Sequence, residues 1–339
     1  FNIDQERHGL ESGILHLRKP LATLAKDAGL PVSDLKTRLE GIRQRLFGLR
    51  EKRVHPGKDD KILTDWNGLM ISAFARAAQA LDEPEYARTA ARAADFILNN
   101  LRAPDGRLLH RYRRNEAAFK SHVDDYAFLI MGLLDLYEAV FEARYLKAAL
   151  ELNQDFLTHF WDHESGGFFY TADDTRDVIL RTKEIFDGDM PSGNAVAALN
   201  LQRLAHVTGD MSLTEKADLT GREFFEGINR SPSAHTQSMI ALEFKLSGPF
   251  EVVIAGDPEA EDTREMLKAL RTAYIPNKVT LFRPAGEAEP EIAGIAEFTR
   301  YQKPLDGKAT AYVCQNRACD SPTTDIGQML ESLGHKPKS

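Results

Sequence analysis

Stretches with helical periodicity come in pairs along this sequence, and the two members of a pair differ in kind. Leu69 to Leu81 is apolar nearly all round, rich in Ala73, Ala75, Ala77, Ala78 and Ala80. After Asp82-Glu83-Pro84 comes Glu85 to Leu101, which has a clear polar face. Phe128 to Val140 followed by Tyr145 to Trp161 repeats the pattern, as does Ala195 to Val207 followed by Leu213 to Ile228. Thr236 to Leu246 is a further stretch of the first kind. A helix apolar on all sides must be surrounded, whereas one with a single apolar stripe covers a neighbour, so the pairs predict inner and outer helices stacked as hairpins. The first two pairs also end alike, because Pro104-Asp105-Gly106-Arg107-Leu108-Leu109-His110 matches His163-Glu164-Ser165-Gly166-Gly167-Phe168-Phe169-Tyr170, an acidic-glycine turn followed by a short alternating strand. The period is about sixty residues, which predicts a mainly α fold, a ring or layered array of helical hairpins.

Outside the pairs the texture changes. Residues 1–30 read as an irregular lead-in segment, with a short strand at Gly13-Ile14-Leu15-His16-Leu17 and a break at Pro20. Residues 31–248 hold the hairpins, opened by an amphipathic helix from Pro31 to about Arg53 with Leu35, Leu39, Ile42, Leu46 and Leu49 on one face. The basic residues at the end of that helix complement its dipole. Residues 249–339 read as a small α/β module: Phe250 to Ala255, Lys278 to Phe282 and Ala311 to Cys314 are β-rich, and Thr263 to Tyr274 is helical. The module lacks a dinucleotide fingerprint, since Ala255-Gly256-Asp257-Pro258 has one glycine where several are needed.

Composition narrows the partners. A net charge of -8 argues against nucleic acid or an anionic membrane surface, and 42% apolar residues in a chain of 339 support a real core. No apolar run approaches the roughly 20 residues of a membrane span. Two cysteines fit a reducing compartment, so the cytoplasm is expected. Cys314 and Cys319 read as semi-buried thiols or a local disulfide, because with only His335 nearby they fall short of the four ligands zinc takes. Neither a metal nor an organic cofactor is expected. A start at Phe1 rather than Met is what a fragment or trimmed product would show.

Four polar segments stand directly before inner helices: Thr64-Asp65-Trp66-Asn67-Gly68, Ser121-His122-Val123-Asp124-Asp125-Tyr126, Met190-Pro191-Ser192-Gly193-Asn194 and Ser233-Ala234-His235-Thr236-Gln237. With the hairpins laid out, the chain resembles the (α/α)6 six-hairpin toroids, which include glycoside hydrolases and sugar 2-epimerases. At family level it resembles the C-terminal half of YyaL-type, spermatogenesis-associated proteins. The matching text is Asp59-Asp60-Lys61-Ile62-Leu63-Thr64-Asp65-Trp66-Asn67-Gly68-Leu69, His122-Val123-Asp124-Asp125-Tyr126-Ala127, Pro191-Ser192-Gly193-Asn194 and the tail from Cys314 to Asp325. The resemblance implies a partial six-hairpin barrel with a sugar or polyol as ligand, and an upstream thioredoxin-like domain as partner in a longer natural chain. About three and a half hairpins are legible, so the remainder is expected upstream.

In a hairpin ring the inner helices all start at one end. Asp65, His122, Asp124, Asp125, Asn194 and His235 are therefore expected at one funnel, where helix N-termini hold carboxylates ionised. Asp65, Asp124 and Asn194 are equally ordinary helix caps. Asp125 and His122 are the residues of greatest chemical interest, with Asp124 as the cap. Trp66, Tyr126 and the Phe168 to Tyr170 segment could stack on a sugar ring. Asn67, Asp187 and Asp189 complete the candidate binding set. A sugar epimerase or isomerase would use His122 and His235 as an acid/base pair beside a carbonyl. A glycoside hydrolase would use Asp124 or Asp125 with Asp187 or Asp189. A scaffold that binds sugar or protein without chemistry is the third expectation.

Overall fold

The computed structural model describes residues 2–3, 15–176, 178–316 and 318–335. They fall into two compact units divided between Asp60 and Lys61. The hairpins expected within 31–248 and the module expected from 249 thus share the second unit, while the helix expected to open the hairpins belongs to the first.

In the first unit, β1 (Asn2–Ile3) pairs antiparallel with β2 (Leu15–His16). Gly13 and Ile14 of the expected strand lie outside the described residues. A short helix not legible in the sequence, α1 (Leu21–Asp27), starts after Pro20, whose fixed φ suits a helix entrance. The amphipathic helix is α2 (Val32–Arg50); Leu35, Leu39 and Ile42 are half-buried, and Leu46 and Leu49 are exposed.

The second unit opens with β3 (Ile62–Leu63) and three hairpins. These are α3 (Thr64–Leu81) with α4 (Pro84–Asn100), then α5 (Val123–Val140) with α6 (Ala143–His159), then α7 (Gly193–Thr208) with α8 (Met211–Glu223). Between the first two lie β4 (Leu109–Arg113) and β5 (Glu116–Lys120), which join β3 in an antiparallel sheet of order β3-β4-β5. The helix expected from Leu213 to Ile228 is in two pieces, α8 and α9 (Phe225–Arg230), broken at Phe224. It is followed by α10 (Thr236–Leu246). The inner helices α3, α5 and α7 each end on a left-handed residue, Asp82, Phe141 and Gly209, and the outer helix starts within three residues. The hairpin turn therefore recurs as one local conformation.

The inner helices pack side by side in chain order, α3 on α5, α5 on α7 and α7 on α10, with α4, α6 and α8 behind their partners. Flanked on both sides, α5 and α7 are buried nearly all round. The end members are not. Trp66 and Met70 on α3, and Ile240 and Leu246 on α10, are exposed although both sequences look equally apolar, because each has one inner neighbour instead of two. The closest approach is between α3 and α5. A Cβ placed on Gly68 would stand 2.5 Å from the Phe128 carbonyl carbon, and one on Gly132 would stand 2.7 Å from the Gly68 oxygen. Backbone touches backbone there, which only glycine allows.

The C-terminal module contains β6 (Phe250–Gly256), α11 (Glu261–Thr272), β7 (Lys278–Pro284), α12 (Glu291–Ile295), β8 (Thr310–Gln315), β9 (Ala318–Cys319) and α13 (Ile326–Ser332). Its sheet has the order β7-β6-β8-β9, with β6 parallel to β7 and antiparallel to β8. One face of the sheet joins the hairpin core: Val253, Val279 and Leu281 pack in the same cluster as α5 and α7, and the Tyr137 hydroxyl accepts the Phe282 N–H at 3.2 Å. The other face has its own core around Val252, Ile254, Met266 and Met329. Cys314 and Cys319, paired across β8 and β9, form a disulfide. Among the described residues no helix is long and apolar enough to cross a membrane. The fold is mainly α, part of an (α/α) hairpin toroid carrying a small α/β module.

Candidate functional site

The polar segments expected before the inner helices lie largely within their first turns, and this changes which carboxylate does what. On α5 the N-cap is His122, so Val123, Asp124 and Asp125 are N1, N2 and N3. In a capping box the N3 side chain reaches back to the N-cap backbone. Asp125 Oδ2 accordingly accepts the His122 N–H at 2.8 Å. The capping role expected of Asp124 thus belongs to Asp125.

Asp125 is fully buried and its lone pairs are filled. Oδ1 also accepts the Asp65 N–H at 3.0 Å, and the His110 Nδ1 lies 3.0 Å from both oxygens. A carboxylate only accepts, so His110 donates from Nδ1 and its Nε2 is left for other work. Burial pushes the Asp125 carboxyl up, but the two histidines beside it outweigh burial and hold it below its ordinary value. The same hydrogen bond raises the His110 imidazole above its ordinary value, against the opposing effect of burial.

Asp124 has the opposite environment. It is half-buried and, among the described residues, accepts no hydrogen bond. Desolvation, followed by the charges of Asp125, Asp65 and Glu184, pushes its pKa up to about 6. Its Oδ1 lies against the first residue of α7, since a Cβ on Gly193 would fall 2.3 Å from it. Asp65 is buried with Oδ1 on the Trp66 N–H at 2.7 Å, and burial together with Asp125 raises it too.

The imidazole of His122 links the groups. Its ring stacks on Tyr170 at 5.0 Å and meets His110 edge-on at 5.2 Å, with Nδ1 3.7 Å from Asp125. His110 and Tyr170 come from equivalent places in two hairpins. In each, a left-handed glycine, Gly106 or Gly166, makes the turn, and the bridges Arg102 to Leu108 and Trp161 to Phe168 align the strands that follow. Thr64 Oγ1, bonded to the Leu109 carbonyl at 2.6 Å, fixes β4 to the start of α3. Tyr170 is half-buried, and its hydroxyl is raised by burial and by Asp124. His110 is absent from the residues singled out in the sequence, although its match with Tyr170 in the repeated turn-strand text was a signal for it.

The cluster is therefore Asp65, His110, His122, Asp124, Asp125 and Tyr170. Trp66 is 58% exposed in the first turn of α3. Asn67 turns its amide back to the Leu63 carbonyl at 2.8 Å. Several residues expected at a funnel serve the fold instead. Tyr126 is corrected to a core residue: its ring stacks on Phe156, its hydroxyl is bonded to Asp155, and it has no exposed face. Phe168 is likewise buried against Phe156. The Asn194 amide is committed on both sides, accepting from the Phe168 N–H at 2.7 Å and donating to the Phe168 and Glu184 carbonyls. Asp187 ties the start of α7 to the start of α10 through the N–H groups of Ser192 and Gln237. Asp189 is exposed. His235 is buried with Nδ1 on the Ser231 carbonyl at 2.8 Å and its ring edge-on to Phe186, so its contacts lie away from His122.

His110, His122 and Asp125 also have three ligand atoms within 4.8 Å of one another, close enough to hold a metal ion. Asp125 would have to give up existing hydrogen bonds to do so. A cavity of about 550 Å3, lined mainly by apolar side chains of α7, α8 and α10, contains none of the cluster.

No family model matches the chain. Over 330 residues it is 34% identical to spermatogenesis-associated protein 20 of Homo sapiens, covering 94% of this chain and 42% of that protein. This chain is homologous to a segment of the spermatogenesis-associated proteins. The protein of the same name from Rattus norvegicus is 33% identical over 344 residues, with 98% of this chain and 43% of that one covered. An uncharacterised protein of Caenorhabditis elegans is 30% identical over 316 residues, at 91% and 42% coverage. The chain thus spans about two fifths of the length of these relatives. Among solved structures it is similar to a family 105 glycoside hydrolase from C. acetobutylicum, at 18% identity and a TM-score of 0.40 over 62% of this chain and 61% of that one. It is also similar to a cellobiose 2-epimerase from Spirochaeta thermophila, at 16% identity and a TM-score of 0.40 over 48% and 43%.

Proposed function

We propose that the cluster at the starts of α3, α5 and α7 is an acid–base site that epimerises or isomerises a sugar. The observation that carries the reading is the contrast between neighbouring carboxyls. Asp125 is buried, saturated with hydrogen bonds and held ionised, whereas Asp124 is without a hydrogen bond and titrates near 6. Environments that push paired groups apart in this way are what proton transfer at neutral pH requires. Near neutrality Asp124 is ionised and serves as base. His110, raised by its bond to Asp125, is the imidazolium that serves as acid. His122 lies between them, in ring contact with His110 and within reach of the Asp124 charge. His110 and His122 replace the pair of His122 with His235 suggested by the sequence.

In epimerisation the base takes a proton from the carbon beside a carbonyl, and the acid protonates the carbonyl oxygen to give an enediol. Return of a proton to the opposite face of that carbon, and of the hydroxyl proton to the imidazole, restores both groups. The sugar as substrate rests on the resemblance to hairpin toroids, and the exposed Trp66 ring beside Asp65 offers a stacking face. The test is proton NMR of aldoses and ketoses incubated in D2O with the full-length protein. Loss of the proton at C2 is expected, with activity rising as pH passes about 6 and falling above the raised His110 value. Asp124→Asn and His110→Gln should each slow exchange by about 100-fold or more. No exchange with any sugar of the panel would sink the reading.

A glycoside hydrolase is the second reading, because a carboxyl titrating near 6 is also what a general acid needs. Its carboxylate partner would have to be Asp65 or Glu184, since Asp125 and Asp187 are committed to backbone N–H groups. Release of reducing ends from disaccharides without exchange at C2 would favour it.

A further inference from the structure

A second cavity, of about 580 Å3, opens at the other end of the inner helices. Its walls are the last turns of α3 and α5, the middle of α7, α10, and the segment that links α11 to β7. Two kinds of cation line it. Arg203 is paired, with Nη1 on Asp135 at 2.7 Å and Nη2 on Glu138 at 3.1 Å. Arg76 shares Asp135 through Nε at 2.7 Å, and Ser72 donates to the same carboxylate. Burial pushes Asp135 up, yet Arg203 and Arg76 outweigh it and keep the carboxylate ionised. The third acid on the wall, Glu243, accepts from the Asn277 amide at 2.6 Å.

Arg271 and Lys278 are different. Among the described residues neither lies within ion-pair distance of a carboxylate. Arg271 gives one N–H to the Ala139 carbonyl at 2.8 Å and lies over the Phe141 ring, while its Nε is buried without a partner. Lys278 has only the Ile275 carbonyl, at 3.1 Å. Burial pulls both cations down, and Arg203 and Arg76 add repulsion at Lys278. The end of a helix carries about half a negative charge, so the α5 terminus at Ala139 only partly neutralises Arg271. A buried cation without a counter-ion is unfavourable, and a roomy cavity beside two of them has space for one.

We propose that this cavity binds a small anion, a phosphate or carboxylate group held by Arg271 and Lys278. The site uses none of the residues of the acid–base cluster and stands apart from that reading. The test is titration calorimetry and thermal melting with inorganic phosphate, with malonate as the carboxylate arm and sodium chloride at matched ionic strength as control. Saturable binding and a rise in melting temperature are expected for at least one of the two anions, and the arm that binds identifies the group. Lys278→Met and Arg271→Met should each weaken binding by about tenfold or more. They should leave the anion-free melting temperature unchanged or raised, because each removes a buried unpaired charge. Lys278→Gln, which keeps a donor for the Ile275 carbonyl, should show the same loss of binding. The proposal is overturned if neither anion binds, if sodium chloride reproduces the effect, or if the Arg271→Met/Lys278→Met double variant binds as tightly as the parent.

Discussion

Asp124 is the residue whose position has the most direct energetic consequence. Unfolded, it titrates near the ordinary 3.8, and folded, near 6, so between those values the native protein holds a proton that the unfolded chain has released. Stability contributed by this group is therefore present below pH 3.8 and lost as pH rises through 6. The loss is at most about 3 kcal/mol. Asp124→Asn should accordingly raise the melting temperature at pH 7.5 and leave it nearly unchanged at pH 4, and melting curves at the two values check this. That the doublet mattered was legible in the sequence, but its division of labour was not. Capping assigns roles by position, and a helix start read from sequence is uncertain by a residue or two, enough to exchange Asp124 and Asp125. His110 was hidden for another reason: the register of β4 on β3 and β5 brings it to Asp125, and that pairing involves Ile62 with Tyr112, fifty residues apart in a chain where periodicity is local. His235 and Tyr126 show the converse error. Proximity to a helix start says nothing about which way a side chain turns.

Among the elements, α3 and α5 form the tightest joint. The carbonyl carbon of Phe128 and the amide of Leu129 would stand 2.5 and 2.6 Å from a Cβ on Gly68, and these are backbone atoms that cannot rotate away. Gly68→Ala should destabilise by about 3 kcal/mol or more, measured by urea denaturation. Gly41→Ala, in the open middle of α2, should instead stabilise by about 0.5–1 kcal/mol, since nothing lies within 4 Å of the added methyl. The helix pairs themselves were legible because amphipathicity is written into each stretch. The β4–β5 hairpin was not. Its turn is Arg114-Asn115, both at positive φ, and it lacks the glycine that marks such turns in sequence.

At the scale of the whole second unit, hairpins and module are one core rather than two. Val253, Val279 and Leu281 pack with α5 and α7, the Tyr137 hydroxyl meets the backbone of β7, and His206 pairs with Glu251 at 2.7 Å. A chain ending at Gly248 should therefore lose cooperative unfolding and near-ultraviolet circular dichroism. A truncated chain that melts like the parent would show the hairpins to be self-sufficient. The change of texture at Pro249 correctly marked new secondary structure, yet composition cannot reveal that one face of the new sheet is covered by the old helices. The other edge of that sheet has its own consequence. Beyond β8 there is only β9, two residues long, held by the Cys314–Cys319 disulfide, and the exchange of N–H and carbonyl between Ala311 and Thr323. Reduction would loosen this border and leave the N–H and carbonyl row of β8 open to strands of other molecules, so the oxidised pair guards the protein against edge-to-edge aggregation.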